Sequence, residues 1–147
     1  MPYIHAERRL HGGGALRAYD DDLAYLYDSG IRAIVSLLSL PADQRLYEDA
    51  SFSYLCLPIP DGFPPSLEQT QRFVKFLAEQ QQQDRAVAVH CAAGRGRTGT
   101  MLAAYLIFQG VNWLEATARV RASEPGAVET VRQMEFLKDF GNLLGDK

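Results

Sequence analysis

The chain has only two cysteines, Cys56 and Cys91, in 147 residues. That is too few for a disulfide framework, and with His5, His11 and His90 they show no metal-site spacing, so no metal and no cofactor is expected. Long hydrophobic runs are equally scarce. The longest, Met101 to Phe108, is eight residues, far short of the roughly 20 that a bilayer-spanning helix needs. The N-terminus lacks the apolar stretch and cleavage site of a secretory signal, so a cytoplasmic location is expected. No period of about 20 to 50 residues recurs, which excludes a solenoid and leaves a single domain over 1–147, read as a monomer. An excess of positive charge is missing too: 15 Lys and Arg stand against 18 Asp and Glu, a net charge of −3. Bulk electrostatics therefore gives no pull toward nucleic acid. Between Arg85 and Arg132, however, six basic residues face three acidic ones, so an anion is expected to meet the C-terminal half.

With 47% hydrophobic residues, the chain is well supplied for a buried core. Asp20, Asp21 and Asp22 precede Leu23, Leu26 and Tyr27 and favour a helix start, and Ser29-Gly30 ends it, which predicts a helix near 20–29. Ile31 to Leu37, Phe52 to Leu57 and Ala86 to His90 are short apolar runs of strand character. Helical spacing appears at Leu67, Thr70, Val74 and Leu77, at Trp113, Ala116, Thr117 and Val120, and at Phe136, Phe140 and Leu144. Met101 to Phe108 is apolar all round and predicts a buried helix. Strands alternating with helices imply a three-layer α/β fold with a central, mostly parallel sheet, and ligands gather at the carboxyl ends of such strands.

The chemistry concentrates after the third strand, in His90-Cys91-Ala92-Ala93-Gly94-Arg95-Gly96-Arg97-Thr98. Small residues let consecutive backbone N–H groups turn inward, and the following helix aims its positive end at the same point, a nest suited to a tetrahedral oxyanion. Cys91 stands at the entrance, where those dipoles and the Arg97 guanidinium stabilise a negatively charged sulfur. Arg97 offers a planar fork for two phosphate oxygens at once.

His-Cys-x5-Arg-Thr resembles the signature of the cysteine-dependent protein tyrosine phosphatases, most closely the small atypical dual-specificity type. A string of this kind arises in such a composition with a chance on the order of one in 10⁵. The resemblance runs from about Leu10 to Phe140. It implies a phosphocysteine mechanism on phosphotyrosine and phosphoserine or phosphothreonine proteins, with Cys91 as nucleophile and Arg97 and the backbone of Ala92, Ala93, Gly94, Arg95 and Gly96 as the phosphate cradle. It further implies that Asp61, 30 residues before Cys91 in Pro60-Asp61-Gly62, is the general acid, and that Gln133 positions water. Thr98 is expected to cap the helix and steady the departing thiolate, and His90 to hold the loop.

Two departures bear on substrate. The aromatic recognition loop of larger tyrosine-specific members is missing, which implies a shallower pocket. Lipid-directed members carry basic residues both directly after the cysteine and later in the loop, whereas this chain has Ala92 first and Arg95 later. A phosphoinositide phosphatase, a non-catalytic phospho-binding module and a thiol redox enzyme using Cys56 as resolving cysteine are the alternatives. Cys56 itself is expected in the core of its strand, and Arg119, Arg121 and Arg132 on a solvated face.

Overall fold

The computed structural model describes residues 4–7, 20–38, 44–49, 51–91 and 96–145. The chain divides into two compact units, Met1–Pro58 with Arg72–Gly94, and Ile59–Gln71 with Arg95–Lys147.

The first unit is built on a four-stranded, wholly parallel sheet of order β1-β4-β2-β3, with β1 at Ile4–Glu7, β2 at Ile31–Ser36, β3 at Ser53–Cys56 and β4 at Ala86–His90. In β2 and β4, Ala33 to Ser36 and Val87 to His90 are buried without alternation, as expected of inner parallel strands covered on both faces. Helix α1, Asp20–Asp28, ends where predicted, with the Gly30 N–H donating to the Tyr27 carbonyl at 3.0 Å and Gly30 at φ +94°. That left-handed angle is why glycine stands there. Leu23 and Leu26 of α1 share one core with Ile31, Ile34, Tyr47, Phe52 and Ala88. Tyr47 comes from α2, Gln44–Asp49, and stacks on Tyr54 at 4.9 Å between ring centres.

Helix α3, Leu67–Gln82, opens on a reciprocal cap: Gln69 N–H donates to the Ser66 hydroxyl and Ser66 N–H to the Gln69 side chain, both at 3.0 Å. Its buried positions are Thr70, Phe73, Leu77 and Gln80. Phe73 therefore takes the place expected of Val74, while Leu67 is exposed.

The second unit holds α4 at Gly96–Phe108, α5 at Trp113–Ser123 and α6 at Val131–Leu143, and α4 packs against both others. Eleven residues of α4 are buried, so its apolar surface runs around the helix as the sequence indicated. Asn112 caps α5 by accepting from Glu115 N–H at 2.9 Å. The segment between α5 and α6 comes so close to α4 that a Cβ on Gly99 would lie 2.5 Å from the Ala127 Cβ and 3.1 Å from its Cα. Val128 follows at φ +56°, a strained angle for a β-branched residue. Arg121 holds this strained segment, donating to the Ala127 carbonyl at 3.0 Å and the Val128 carbonyl at 2.7 Å.

Gly99→Ala should therefore destabilise the protein by about 1–3 kcal/mol, the usual cost of overpacking against atoms that cannot rotate away. Urea unfolding monitored by far-UV circular dichroism measures it; an unchanged midpoint would show that α4 and the Ala127 backbone are not in rigid contact.

Candidate active site

In the first unit β4 delivers His90 and then Cys91, both buried. Parallel pairing aligns Ser36 of β2 with His90 on one side and with Cys56 on the other, so these positions mark one carboxyl edge of the sheet. Ala92, Ala93, Gly94 and Arg95 lie outside the described residues.

In the second unit α4 begins at Gly96. A Cβ there would sit 2.9 Å from a Glu129 carboxylate oxygen and 3.3 Å from the Gln133 side-chain nitrogen, so a larger residue would displace both. Thr98, expected as the cap, lies inside the first turn of α4 and is fully buried. The helix starts three residues earlier than a Thr98 cap requires, and small Gly96 accepts the crowded position at its start. Thr100 returns its hydroxyl to the Gly96 carbonyl at 2.7 Å.

Arg97 is 6% exposed. A buried guanidinium must be paired or hydrogen-bonded, and Arg97 donates to the Ile59 carbonyl at 2.9 Å and lies 3.8 Å from an Asp61 carboxylate oxygen. The latter is a charge contact rather than a hydrogen bond. Asp61, by contrast, has an 85% exposed side chain. It occupies a tight turn in which Phe63 N–H donates to the Pro60 carbonyl at 3.0 Å and Gly62 takes φ +81°, a turn that needs glycine after its first central residue. Turn former and expected acid are thus one residue, brought beside Arg97.

Gln133 is fully buried. Its side-chain oxygen accepts from the backbone N–H of Glu129 at 2.7 Å and of Thr130 at 3.0 Å, and its nitrogen reaches the Phe63 carbonyl at 3.4 Å. Thr130, the N-cap of α6, completes a capping box with Gln133 and donates its hydroxyl to the Gly62 carbonyl at 2.7 Å. Glu129 and Thr130 belong to the same family-like segment as Gln133, and Thr130-x-x-Gln133 is a readable capping-box pattern; the reach of Thr130 to Gly62 is what the sequence does not announce. The three arginines expected on a solvated face are all exposed, and they differ in their partners. Arg119 pairs with Glu115 at 2.9 Å, Arg121 holds the strained turn, and the Arg132 guanidinium stands 4.4 Å over the Phe63 ring.

Cys56 is half-buried rather than a core residue, and its thiol donates to the Leu38 carbonyl at 3.7 Å. Burial pushes this thiol up, opposed by a Tyr54 hydrogen bond and the Arg72 charge. Cys56 and His90 flank β2 on opposite sides, so adjacent strand spacings of about 4.8 Å put Cys56 roughly 10 Å from the end of β4. Disulfide geometry requires Cα atoms within about 7 Å. At the level of the strands, Cys56 and the end of β4 are thus separated by more than a disulfide spans, and both cysteines are free thiols. Among the described residues no group of three or more His, Cys, Asp and Glu could hold a metal, and no helix is long and apolar enough to cross a membrane.

Residues 12–111 match the family model described as "Polymorphic toxin system, DSP-PTPase phosphatase". The chain is 30% identical over 136 residues to mouse dual specificity protein phosphatase CDC14A, covering 92% of this chain and 22% of that one. It thus spans about a fifth of the length of this curated relative. Among solved structures, Tk-PTP in its active form is 34% identical with a TM-score of 0.77, covering 84% of this chain and 86% of the other. PTPMT1 in complex with PI(5)P shares the fold at 23% identity and a TM-score of 0.73, covering 89% and 96%. The chain belongs to the cysteine-dependent protein tyrosine phosphatase superfamily, in its dual-specificity branch. Its fold is the three-layer α/β fold of that superfamily.

Two measurements check the cysteine geometry. Diamide oxidation should yield no intramolecular Cys56–Cys91 disulfide by intact mass, because β2 separates Cys56 from the end of β4; its formation would show that Cys91 reaches across that strand. In a Cys91→Ser variant, where Cys56 is the single thiol, burial disfavours the thiolate, so the alkylation rate should rise with a midpoint above the ordinary value of 9.0. A midpoint below 9.0 would reverse the assigned cause.

Proposed function

We propose that residues 1–147 form one cytoplasmic, monomeric catalytic domain that hydrolyses phosphate monoesters on proteins through a phosphocysteine intermediate, without metal or cofactor. The observation that carries this reading is the pairing of Arg97 with Asp61, which sets the family's phosphate-binding cation beside the expected acid.

In the first step the Cys91 thiolate attacks phosphorus in line. The S–P bond forms as the P–O bond to the leaving group breaks, and Asp61 gives that oxygen its proton. Arg97 and the amides from Ala92 to Arg97 hold the non-bridging oxygens where charge accumulates. In the second step Asp61 takes a proton from water, whose oxygen bonds to phosphorus while the S–P bond breaks and the thiolate returns. Thr98 donates to that sulfur, His90 holds the loop, and Gln133 orients the water. The Gln133 side-chain oxygen already accepts two backbone donors, so only its amide nitrogen is available for this role.

Phosphotyrosine and phosphoserine or phosphothreonine proteins are the proposed substrates, the absent recognition loop favouring a shallow pocket. The phosphoinositide alternative rests on Arg95 and is opposed by Ala92.

Cys91→Ser should abolish aryl phosphate hydrolysis and leave thermal stability unchanged, and activity should persist in chelator. Asp61→Asn should lower turnover by roughly 10²- to 10⁴-fold, most on poor leaving groups such as phosphoserine. Steady-state kinetics across phosphopeptides and soluble phosphoinositides decides the substrate class: a lead in kcat/KM for the inositol phosphates, abolished by Arg95→Ala, would select the lipid reading.

A further inference from the structure

The exposed Asp61 carboxylate is a poorly restrained acid. Its charge contact with Arg97 is long at 3.8 Å, and an ion pair with one member in solvent contributes little positional energy. What holds the acid in place must act on the backbone around it. On its N-terminal side the Ile59 carbonyl is taken by Arg97. On its C-terminal side Gly62 and Phe63 are held by three residues at the start of α6: Thr130 through the Gly62 carbonyl, Gln133 through the Phe63 carbonyl and Arg132 over the Phe63 ring.

Of these three contacts, the Thr130 bond is the shortest, at 2.7 Å to the residue adjoining Asp61. The Gln133 contact at 3.4 Å is weak by comparison. The chemistry of the Thr130 hydroxyl is also specific. It has one proton, which goes to the Gly62 carbonyl, and its lone pairs accept the Gln133 N–H at 3.2 Å. A hydroxyl does both at once. An aspartate caps a helix equally well but has no proton to give.

The geometry points to Thr130 as a positioning residue for the general acid, its hydroxyl clamping the Asp61–Gly62 turn onto the capped start of α6. This rests on the reading of Asp61 as the acid. The clamp ties the loop to an element held by other means: Gln133 caps the same turn from within, and Arg121 fixes the strained segment just before it. Misplacing a catalytic group by about 1 Å costs up to 10²-fold, so loss of the clamp should be read in proton transfer to the leaving group and not in phosphate binding.

The experiment compares kcat and KM for phenyl phosphate, a poor leaving group, and nitrophenyl phosphate, a good one, in Thr130→Asp, Thr130→Val, Thr130→Ser, Asp61→Asn and the Asp61→Asn/Thr130→Asp double variant, with thermal midpoints for each. Thr130→Asp should keep the cap and the midpoint, yet lose about tenfold in kcat on phenyl phosphate and much less on nitrophenyl phosphate, with KM little changed. Thr130→Val should show the same selective loss with a lowered midpoint, because it removes the cap as well. Thr130→Ser should restore the wild-type ratio between the two substrates. In the Asp61→Asn background Thr130→Asp should cost nothing further, since there is no acid left to position. If Asp61→Asn acts selectively on the poor leaving group while Thr130→Asp leaves the ratio unchanged, or lowers both substrates equally, the inference is overturned and the acid assignment stands. If Asp61→Asn itself shows no leaving-group selectivity, both fall together.

Discussion

A buried guanidinium is the constraint around which the second unit is organised. Arg97 is almost fully removed from water, and an unpaired charge in that position would cost several kcal/mol. The Ile59 carbonyl answers most directly, at 2.9 Å. That single bond ties the first turn of α4 to a segment far earlier in the chain, and the position of Asp61 two residues on is a consequence. A lysine would meet the charge requirement but could not send one nitrogen to the carbonyl and another toward the carboxylate in a fixed plane.

Close approach is the second requirement, and the small residues meet it. Gly96 and Gly99 lie one helical turn apart on the face of α4 that meets the segment around Ala127 to Gln133. With no side chains there, the backbone at Ala127 and Val128 can press against the helix, and the left-handed Val128 is what that approach costs. Arg121, Thr130 and Gln133 then supply hydrogen bonds that offset the strain. The cap of α6 is therefore more than a helix terminus, because the same atoms that end the helix hold the turn carrying Asp61.

Much of this was legible in the sequence, for identifiable reasons. Strand β4 occupies the predicted Ala86 to His90, and β2 and β3 fall within their predicted runs, because buried parallel strands are continuous apolar segments bounded by turns. Helix α1 ends at its predicted glycine. Strand β1 and helix α2 were not anticipated. Ile4–Glu7 alternates apolar and polar residues over only four positions, too few to mark a strand, and α2 is only six residues with Tyr47 as its buried anchor, too short for a helical repeat to declare itself. The family was legible in His90-Cys91 and Arg97-Thr98 because these residue types are rare in combination. The burial of Gln133 and its reach to Phe63 were not, since the capping-box pattern reads the same whether its glutamine is buried or exposed. Tertiary approach, which buries Gln133 and makes Arg121 structural, leaves no local signal.

Exposure separates the roles of the two charged residues more clearly than their proximity does. Arg97 is almost fully buried, whereas the Asp61 side chain is 85% exposed. Held at 3.8 Å with most of its surface in water, the carboxylate is loosely engaged, and a phosphate dianion with two oxygens to offer is a better partner for the guanidinium fork. The arginine would then exchange a weak intramolecular contact for a strong bidentate one while keeping its bond to Ile59. On the proposed mechanism the Asp61 carboxyl would stay in solvent, able to serve a leaving oxygen and later water. A held backbone with an exposed side chain suits such a two-step use of one carboxyl, and hydrogen bonds to the carbonyls of Ile59 and Gly62 hold the turn without touching the carboxylate.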